Sequence, residues 1–352
     1  MAIDEAKLQA FLERSVGEVA AVWSAPLIVL GRELGLYAAM ADAGPVTPGE
    51  LAEATGTRER LVAEWLLNQA AGGIVEHDPA TGRFSLPPEQ SFILTDPGSP
   101  ADLVTAFRLG ILVADDLERL ARAFRGEEPL GWGDHHPQFY GASDRFFATG
   151  YRAQLVQSWI PALEGVEAKL RRGATVADVG CGLGSSTVIL AQAYPNSTFR
   201  GFDFHEPSIE AARKAAAEAG VNDRVTFEVA SGTDYPGGGY DLVLFLDALH
   251  DMGDPGAGLA YARGTLATEG TVVLVEPLAG ERIEDNLNPV GRLFSAGSTI
   301  LCVPSSLAQD GKMALGNQVP EARWRELATA AGYTRFRRAA ETPFNRIFEL
   351  RP

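Results

Sequence analysis

The sequence predicts an α/β protein in which a doubly wound, mostly parallel sheet follows an N-terminal helical domain of the winged-helix type. From residue 174 onward, short apolar runs alternate with helical patterns, which is typical of a parallel sheet covered on both faces. The stretch "VADVGCGLGSS" (176–186) places three glycines directly after the first of these runs. A glycine turn beside a strand often brings the backbone close to a ligand. Earlier in the chain, the order helix, short helix, helix, hairpin predicts the winged helix.

The 352-residue length indicates more than one domain. We expect a winged-helix and dimerisation domain at 1–98, a helical connector at 99–170 and the sheet domain at 171–352.

The N-terminal domain is predicted to begin with a helix over 1–25 and a second helix from Pro26 to Ala41. A capping box of Thr47 and Glu50 opens a short helix that ends at Gly56. Thr57 is expected to cap the third helix. The side chains predicted to point inward from it are Leu61, Trp65 and Leu66, and the hairpin "IVEH"–"RFSL" follows.

Two helices are expected in the connector, over 99–126 and 151–173, with a segment rich in glycine, proline and aromatic residues between them. Five apolar strands follow, separated by helices. A long insertion runs from Pro277 to about Gln318, with a helix starting at Asn288 and Pro289. The last two strands, joined by "TPF", should form an antiparallel hairpin at one sheet edge.

Composition excludes some classes of protein. The net charge of −16 argues against nucleic acid as the main partner. No apolar run approaches the ~18 residues of a membrane helix, and the N-terminus lacks a secretory pattern. The two cysteines, Cys181 and Cys302, fit reduced thiols. We therefore expect a cytoplasmic protein with no membrane partner.

Two classes of cofactor bind at a glycine turn of this kind. Dinucleotide folds use G-x-G-x-x-G, with the pyrophosphate at a helix N-terminus. Here the spacing is G-x-G-x-G, at Gly180, Gly182 and Gly184, and Asp178 precedes the first glycine by two residues. The spacing does not fit a dinucleotide.

The chain resembles the class I S-adenosylmethionine-dependent methyltransferases. The resemblance rests on "ADVGCGLGSS", Asp203, "FEVASGTDYP", "YDLVLFLDALHDMGDP" and "LATEGTVVLVEP", in this order. The winged helix and "LHDMGD" resemble small-molecule O-methyltransferases, and "GYRAQLVQSWIPAL" and "LCVPSSLAQDGKMALG" resemble an actinobacterial winged-helix methyltransferase group. The resemblance implies a Rossmann-like, seven-stranded methyltransferase sheet, S-adenosyl-L-methionine as the cofactor, and transfer to a small-molecule acceptor, with a hydroxyl favoured.

The resemblance also implies which residues hold the cofactor. Asp178 would balance its ammonium group, Asp203 would accept the ribose hydroxyls, and Asp247 would reach the ammonium or sulfonium end. Ser231 stands where the family often has an acid, so its contact should be weaker. The expected set is Asp178, Gly180, Cys181, Gly182, Gly184, Asp203, Phe204, Ala230, Ser231, Gly232 and Asp247.

His250 stands three residues after Asp247. The matching histidine of plant-type O-methyltransferases is the base, which implies that role for His250, with Asp251 or Asp254 orienting its ring. A cofactor-side or structural role stays open, and Met252 replaces the tryptophan of the plant pattern. The expected acceptor-pocket residues are Trp132, His136, Tyr140, Tyr151 and Phe294. No metal is expected, because His135 and His136 are adjacent and should point apart.

The main alternative is a cofactor-binding transcriptional regulator whose winged helix contacts DNA, and an oxidoreductase is the third reading. Residues 1–100 hold six basic residues against fourteen acidic ones, a net charge of −8. A DNA-binding domain must neutralise several phosphates. We therefore expect the winged helix to serve a homodimer through the apolar stripe at residues 8–22, with packing of that stripe on its own domain as the alternative.

Overall fold

The computed structural model describes residues 3–352 and divides into two compact units, Met1–Ala114 and Asp115–Pro352. The division falls inside the predicted connector (99–170). Residues just after 98 stay with the first unit because Asp102, which is buried, pairs with Arg32 at 2.8 Å.

The first unit contains six helices and a short antiparallel hairpin among its described residues. They are α1 (Glu5–Glu33), α2 (Leu36–Ala43), α3 (Pro48–Thr55), α4 (Glu59–Ala71), β1 (Glu76–Asp78), β2 (Arg83–Ser85), α5 (Pro88–Leu94) and α6 (Val104–Leu112). This order confirms the predicted winged helix. The capping box of Thr47 and Glu50 and the left-handed Gly56 at the end of α3 are also as predicted.

The predicted helix boundary at Pro26 is wrong, because α1 continues through it. Pro26 is exposed, so water can reach the carbonyl group that its missing N–H leaves unpaired. The carbonyl of Leu27 also accepts a hydrogen bond from the Trp65 indole at 2.9 Å, which fixes this part of the helix. The break comes instead at Gly35, which adopts φ 70° before α2.

The inward face of α4 differs from the prediction by one residue. Arg58, not Thr57, occupies the N-cap, and Leu61 is 68% exposed. Val62 takes the inward place, and with Trp65, Leu66 and Gln69 it forms a buried stripe at helical spacing. The Tyr37 hydroxyl donates to the buried Gln69 side chain at 2.5 Å.

The apolar stripe of α1 lies open. Its members are all at least 44% exposed: Leu8, Phe11, Leu12, Val16, Val19 and Val22. The alternative in which the stripe packs on its own domain therefore does not occur in the part of the chain that the structure describes. Within that part, no single helix is long and apolar enough to cross a membrane, although α1 and α2, bent by 64° relative to each other, pass that test as a pair.

The second unit contains the large sheet and its helices. The helices are α7 (Leu117–Phe124), α8 (Pro137–Gly150), α9 (Val166–Arg172), α10 (Ser185–Ala193), α11 (Glu206–Glu218), α12 (Pro255–Thr265), α13 (Pro289–Gly297), α14 (Val303–Leu307) and α15 (Glu321–Ala330). The strands are β3 (Thr175–Val179), β4 (Thr198–Asp203), β5 (Val225–Val229), β6 (Tyr240–Leu246), β7 (Leu266–Pro277), β8 (Arg335–Glu341) and β9 (Asn345–Arg351).

The seven-stranded sheet has the order β5-β4-β3-β6-β7-β9-β8. Strands β3 to β7 pair in parallel and β9 pairs antiparallel with both β7 and β8, which confirms the predicted fold class and the antiparallel edge. Successive residues of β6 enter cores on opposite faces, with Leu244 on one side and Val243 and Phe245 on the other. The apolar runs are thus buried on both faces, as their composition predicts.

The predicted connector helices are interrupted. The first begins only at Val104, whose N–H is held by the Asp102 carboxylate at 2.9 Å, and it passes into a 3₁₀ turn over Val113–Asp116. Asp116 pairs with the buried His135 at 2.6 Å. The second is a π-helix over Tyr151–Trp159, and α9 starts afresh after the left-handed Gly165.

We predict that Gly201→Ala destabilises the protein by about 1–3 kcal/mol, because the added methyl group overpacks the core. A Cβ at Gly201, in β4, would lie 2.4 Å from the Phe227 ring and 2.9 Å from the Cys181 sulfur. Thermal unfolding should show a lower Tm.

Gly264→Ala is the matched control, since a Cβ at this exposed position of α12 meets nothing within 4 Å. It should leave stability unchanged or raise it by about 0.5–1 kcal/mol. An unchanged Tm for Gly201→Ala would show that this part of the core can relax around an extra methyl group.

Candidate active site

The candidate site lies where the strand order of the sheet reverses. In the sheet, β3 lies between β4 and β6. The chain passes from β3 to β4 on one side and from β6 to β7 on the other, so the two connections diverge. Ligands in open parallel sheets bind beyond the carboxyl ends of the strands at this switch point. The turn after β3 carries the predicted glycines, and the turn after β6 carries Asp247 and His250.

The glycine turn is fixed by backbone hydrogen bonds to the neighbouring strand. The N–H groups of Gly180 and Cys181 both donate to the Phe202 carbonyl, at 2.8 and 3.0 Å. Gly180 adopts φ 76°, and a Cβ there would lie 2.5 Å from that of Ala248. Glycine is therefore required both for the conformation and for the contact between the two turns.

Asp203 ends β4 with both carboxylate oxygens held by backbone. Oδ2 accepts from the Gly182 N–H at 3.0 Å and Oδ1 from the His205 N–H at 2.9 Å. Burial raises the pKa of this carboxyl, and the two N–H donors oppose the rise. A carboxylate has about four acceptor sites, so Asp203 can still accept from a ligand's hydroxyl groups.

Asp178 is buried inside the turn and joins β3 to α10. Its Oδ2 accepts from the Ser186 and Thr187 hydroxyls, each at 2.7 Å, and its Oδ1 has no hydrogen-bond partner in the described structure. Burial raises the pKa of Asp178.

Asp247 follows β6 in the left-handed conformation, with φ 51°. The Asn345 side chain, from the start of β9, donates to its two oxygens at 3.2 and 3.3 Å. Burial, opposed by nearby His250 and assisted by Glu276, raises the pKa of Asp247 to about 8. A non-glycine residue in this conformation is strained and is often found at functional sites.

His250 lies in a short 3₁₀ turn with both ring nitrogens facing carboxylates. Nδ1 is 2.7 Å from Glu276 Oε2 at the end of β7, and Nε2 is 3.3 Å from Asp251 Oδ1. Burial opposes the charged imidazolium, but these carboxylates outweigh it and raise the pKa of His250 above its ordinary value. Asp254, the other predicted orienting residue, instead caps α12.

A cavity of about 670 Å³ opens at the switch point. Most of the predicted site residues line it: Gly180, Cys181, Gly182, Asp203, Phe204, Ala230, Ser231, Gly232, Asp247, Trp132, Tyr140 and Tyr151. The structure therefore brings together residues that the sequence separates by more than 100 positions.

Five predicted site residues do not line this cavity. Asp178 is buried at the end of β3, Gly184 is buried close to Phe227 and Ala212, and His250 is buried next to Asp251. His136 is exposed and caps α8, where its ring accepts from the Gln138 N–H. Phe294 is on α13, and the insertion reaches the cavity instead through Ser305 and Gln309–Gly311.

Further side chains line the cavity; of these, Asp251 was expected only to orient His250, and Asp144 and Ser185 were not expected at the site. Asp144, on α8, accepts from the Ser185 hydroxyl at 2.8 Å, and both residues line the cavity. Asp251 lines it beside His250. The adjacency of Asp251 to His250 was a usable signal, whereas Asp144 and Ser185 are 41 residues apart and carry no shared pattern.

Among the described residues, one group could hold a metal ion by its geometry. His250, Asp251 and Cys302 present ligand atoms that all lie within 4.8 Å of one another. Burial and the Asp251 charge raise the pKa of the Cys302 thiol to about 12. The expectation of no metal stays a prediction.

Two family models match parts of this chain. Residues 170–317 match the family model described as a methyltransferase domain. This chain carries a methyltransferase domain. The first unit matches the Rv2258c-like winged HTH domain over residues 23–96. The two matches confirm the predicted combination of a methyltransferase with an N-terminal winged helix.

The 27-O-demethylrifamycin SV methyltransferase of Amycolatopsis mediterranei is 30% identical to this chain over 131 residues, which are 35% of this chain and 48% of that protein. The chain spans about half the length of the curated relatives it matches.

Solved structures resemble the whole chain. Mitomycin 7-O-methyltransferase superimposes with a TM-score of 0.68 at 20% identity, over 99% of this chain and 100% of its own. Human N-acetylserotonin methyltransferase, in complex with SAM, has a TM-score of 0.67 at 17% identity, over 97% of each chain. At these identities the likeness is one of fold alone.

Proposed function

We propose that this protein transfers a methyl group from S-adenosylmethionine to a small-molecule acceptor. The observation that carries the proposal is the lining of the cavity. It joins the glycine turn to Asp203, and no lysine, arginine or histidine is among the described residues on its wall. S-adenosylmethionine is a sulfonium without phosphates, so it suits this wall. A dinucleotide pyrophosphate would lack cationic partners there.

The residues present fit this cofactor. The backbone at Gly180 and Gly182 can approach the methionine part, and nothing lies within 4 Å of where a Cβ of Gly182 would point. Asp203 suits the ribose hydroxyls, because its carboxylate is already aligned by two N–H groups. The half-exposed Phe204 and the turn Ala230–Gly232 suit the adenine.

When bound, the cofactor supplies an electrophilic methyl group attached to sulfur. The protein's own residues bind and orient the two reactants, and they exclude water. Trp132, Tyr140 and Tyr151 form an aromatic part of the wall, and the Tyr140 hydroxyl is tied to the Trp132 carbonyl at 2.9 Å. Fixing both reactants in one cavity is worth up to ~7–11 kcal/mol in favourable cases.

The relatives support the same reaction. The Amycolatopsis relative and the two solved structures are by name methyltransferases that act on small molecules, and the human enzyme was solved with SAM. The regulator alternative would require the first unit to neutralise phosphates, and the net charge of −8 over residues 1–100 disfavours it.

We propose a homodimer formed through α1. Its open apolar stripe (Leu8, Phe11, Leu12, Val16, Val19, Val22) continues into Trp23, which is 77% exposed. A contiguous apolar face of this kind on a soluble protein marks an interaction surface. A second copy of the same helix offers a complementary apolar face.

The first test of the function is cofactor binding and methyl transfer in wild type and Asp203→Ala. Calorimetry should show binding of S-adenosylmethionine and S-adenosylhomocysteine but not of NAD. Loss of two charge-assisted bonds to ribose, at roughly 1.5–3 kcal/mol each at most, should weaken binding in the variant at least tenfold.

Label from a methyl-labelled cofactor should appear in members of an acceptor library that contains phenols, catechols, hydroxy acids and amines. Glu210→Gln, on the exposed face of α11, is the charge-matched control. Equal affinity of wild type and Asp203→Ala would place the ribose elsewhere.

The second prediction is a pH dependence of cofactor affinity set by Asp247. With its pKa raised to about 8, Asp247 is protonated below pH 8, and the cationic cofactor favours its ionised form. Affinity should therefore rise roughly tenfold per pH unit up to about pH 8 and then level off. Calorimetry at pH 6 to 9 measures this, and Asp247→Asn should flatten the curve. A slope that persists in Asp247→Asn would assign the titration to another group.

The third prediction concerns the proposed dimer. Val19→Asp places a charge in the middle of the exposed stripe and should convert the dimer to a monomer, because burying an unpaired charge is costly. Light scattering after size exclusion measures the mass. Glu13→Gln is the surface control. A monomeric wild type at micromolar concentration would remove the proposal.

A further inference from the structure

The cavity wall near His250, the predicted base, carries the carboxylate of Asp251 and not the imidazole of His250. The His250 side chain is 4% exposed and does not line the cavity, whereas the Asp251 side chain is 22% exposed and does. Asp251 Oδ1 is buried against His250 Nε2 at 3.3 Å. Oδ2 is therefore the carboxylate oxygen that is available to an acceptor.

The groups behind Asp251 hold it in place. Glu276 faces Nδ1 of His250 at 2.7 Å, so the imidazole is fixed between two carboxylates. The flanking carboxylates raise the pKa of His250, and its Nδ1 is hydrogen-bonded with Glu276. The Cys302 sulfur lies within 4.8 Å of ligand atoms of His250 and Asp251, and its thiol donates to the Gly297 carbonyl at 3.9 Å.

Four of the other carboxylates of the cavity wall have their own hydrogen-bond partners. Six aspartates line it, namely Asp144, Asp203, Asp247, Asp251, Asp254 and Asp310. Asp203 is held by backbone, Asp247 by Asn345, and Asp144 by Ser185, while Asp254 caps α12. An anionic acceptor would meet like charges on a wall whose described residues include no basic side chain, which is unfavourable in a desolvated site.

We propose that Asp251 binds the nucleophilic O–H or N–H of the acceptor and takes its proton, and that the acceptor carries no negative charge. The proposal rests on the proposed methyl transfer. In the step, the acceptor's O–H or N–H bond breaks and its proton goes to Asp251 Oδ2. The acceptor atom forms a bond to the methyl carbon while the carbon–sulfur bond breaks, and that electron pair stays on sulfur. His250 and Glu276 are positioning residues.

The electrostatics around Asp251 suit this role. Burial raises its pKa, while His250 and the Cys302 thiol lower it, so the balance leaves a carboxylate more basic than an exposed one. The titratable groups near it are His250 on its own turn, Cys302 from the insertion and Asp247 at the end of β6, while Glu276 at the end of β7 contacts it only through His250.

The test uses the full-length protein saturated with S-adenosylhomocysteine, so that only the acceptor part of the cavity stays free. Benzylamine, benzyl alcohol and benzoate are matched probes that differ in charge. Ligand-observed NMR titration should show benzylamine, which is a cation at neutral pH, and benzyl alcohol binding at least about tenfold more tightly than benzoate. Benzoate binding as tightly as both other probes overturns the proposal.

In Asp251→Asn, benzylamine and benzyl alcohol should bind no more than roughly threefold more tightly than benzoate. Asp254→Asn removes the same charge and keeps the helix cap, so it should retain most of the wild-type preference. Turnover of the acceptor found in the library screen should fall ~10²–10⁴-fold in Asp251→Asn, with cofactor affinity nearly unchanged. His250→Gln should lower turnover and also change the pH profile of turnover. His250→Asn should show the same two effects.

Equal effects of Asp251→Asn and Asp254→Asn overturn the assignment of Asp251. Loss of the charge preference after treatment with a chelator also overturns it, since His250, Asp251 and Cys302 would then be metal ligands. Failure of the proposed function is separate, because it appears as absent cofactor binding in calorimetry whatever the probes do.

Discussion

The contact between the turn after β3 and the turn after β6 is the constraint on which the site depends. Gly180 lies so close to Ala248 that a Cβ on the glycine would approach the alanine methyl group to 2.5 Å. This approach brings the glycine turn, with Asp203 beside it, into the same cavity wall as Asp247 and Asp251. A larger residue at Gly180 would separate the two turns, and the cofactor-facing and acceptor-facing groups would no longer share one cavity.

The cavity concentrates negative charge, and the fold places neutral hydrogen-bond donors beside three of the buried aspartates at this site. Burial raises the pKa of Asp178, Asp203, Asp247 and Asp251. Hydroxyl groups donate hydrogen bonds to Asp178, backbone N–H groups to Asp203 and the Asn345 amide to Asp247. His250 lies beside Asp251. Such partners stabilise carboxylates without filling the cavity with fixed positive charge. A cationic cofactor can then supply the missing counter-charge, which links the charge of the wall to the chemistry of methyl transfer.

The elements of the methyltransferase domain were predictable because each depends on local pattern. Strands β3 to β7 are near-continuous apolar runs, and most helices between them begin at a capping residue or at proline. Helix ends that depend on distant partners were not predictable. Pro26 looked like a helix start, yet the helix continues because Trp65, 38 residues away, binds the carbonyl of the next residue. The connector helix starts at Val104 because Asp102 is drawn to Arg32.

The sequence by itself determined the order of strands and helices, the glycine turn and the positions of Asp203 and Asp247 at strand ends, because these follow from periodicity and from the places where parallel strands stop. Only the tertiary structure decided which side chains face the cavity. His250 and Asp251 are adjacent in sequence, but Glu276 from β7 holds the histidine inward and leaves the aspartate on the wall. Asp144 and the 305–311 segment likewise reach the cavity from separate parts of the chain. Side-chain direction in a turn depends on packing partners far away in sequence, and local pattern carries no record of them.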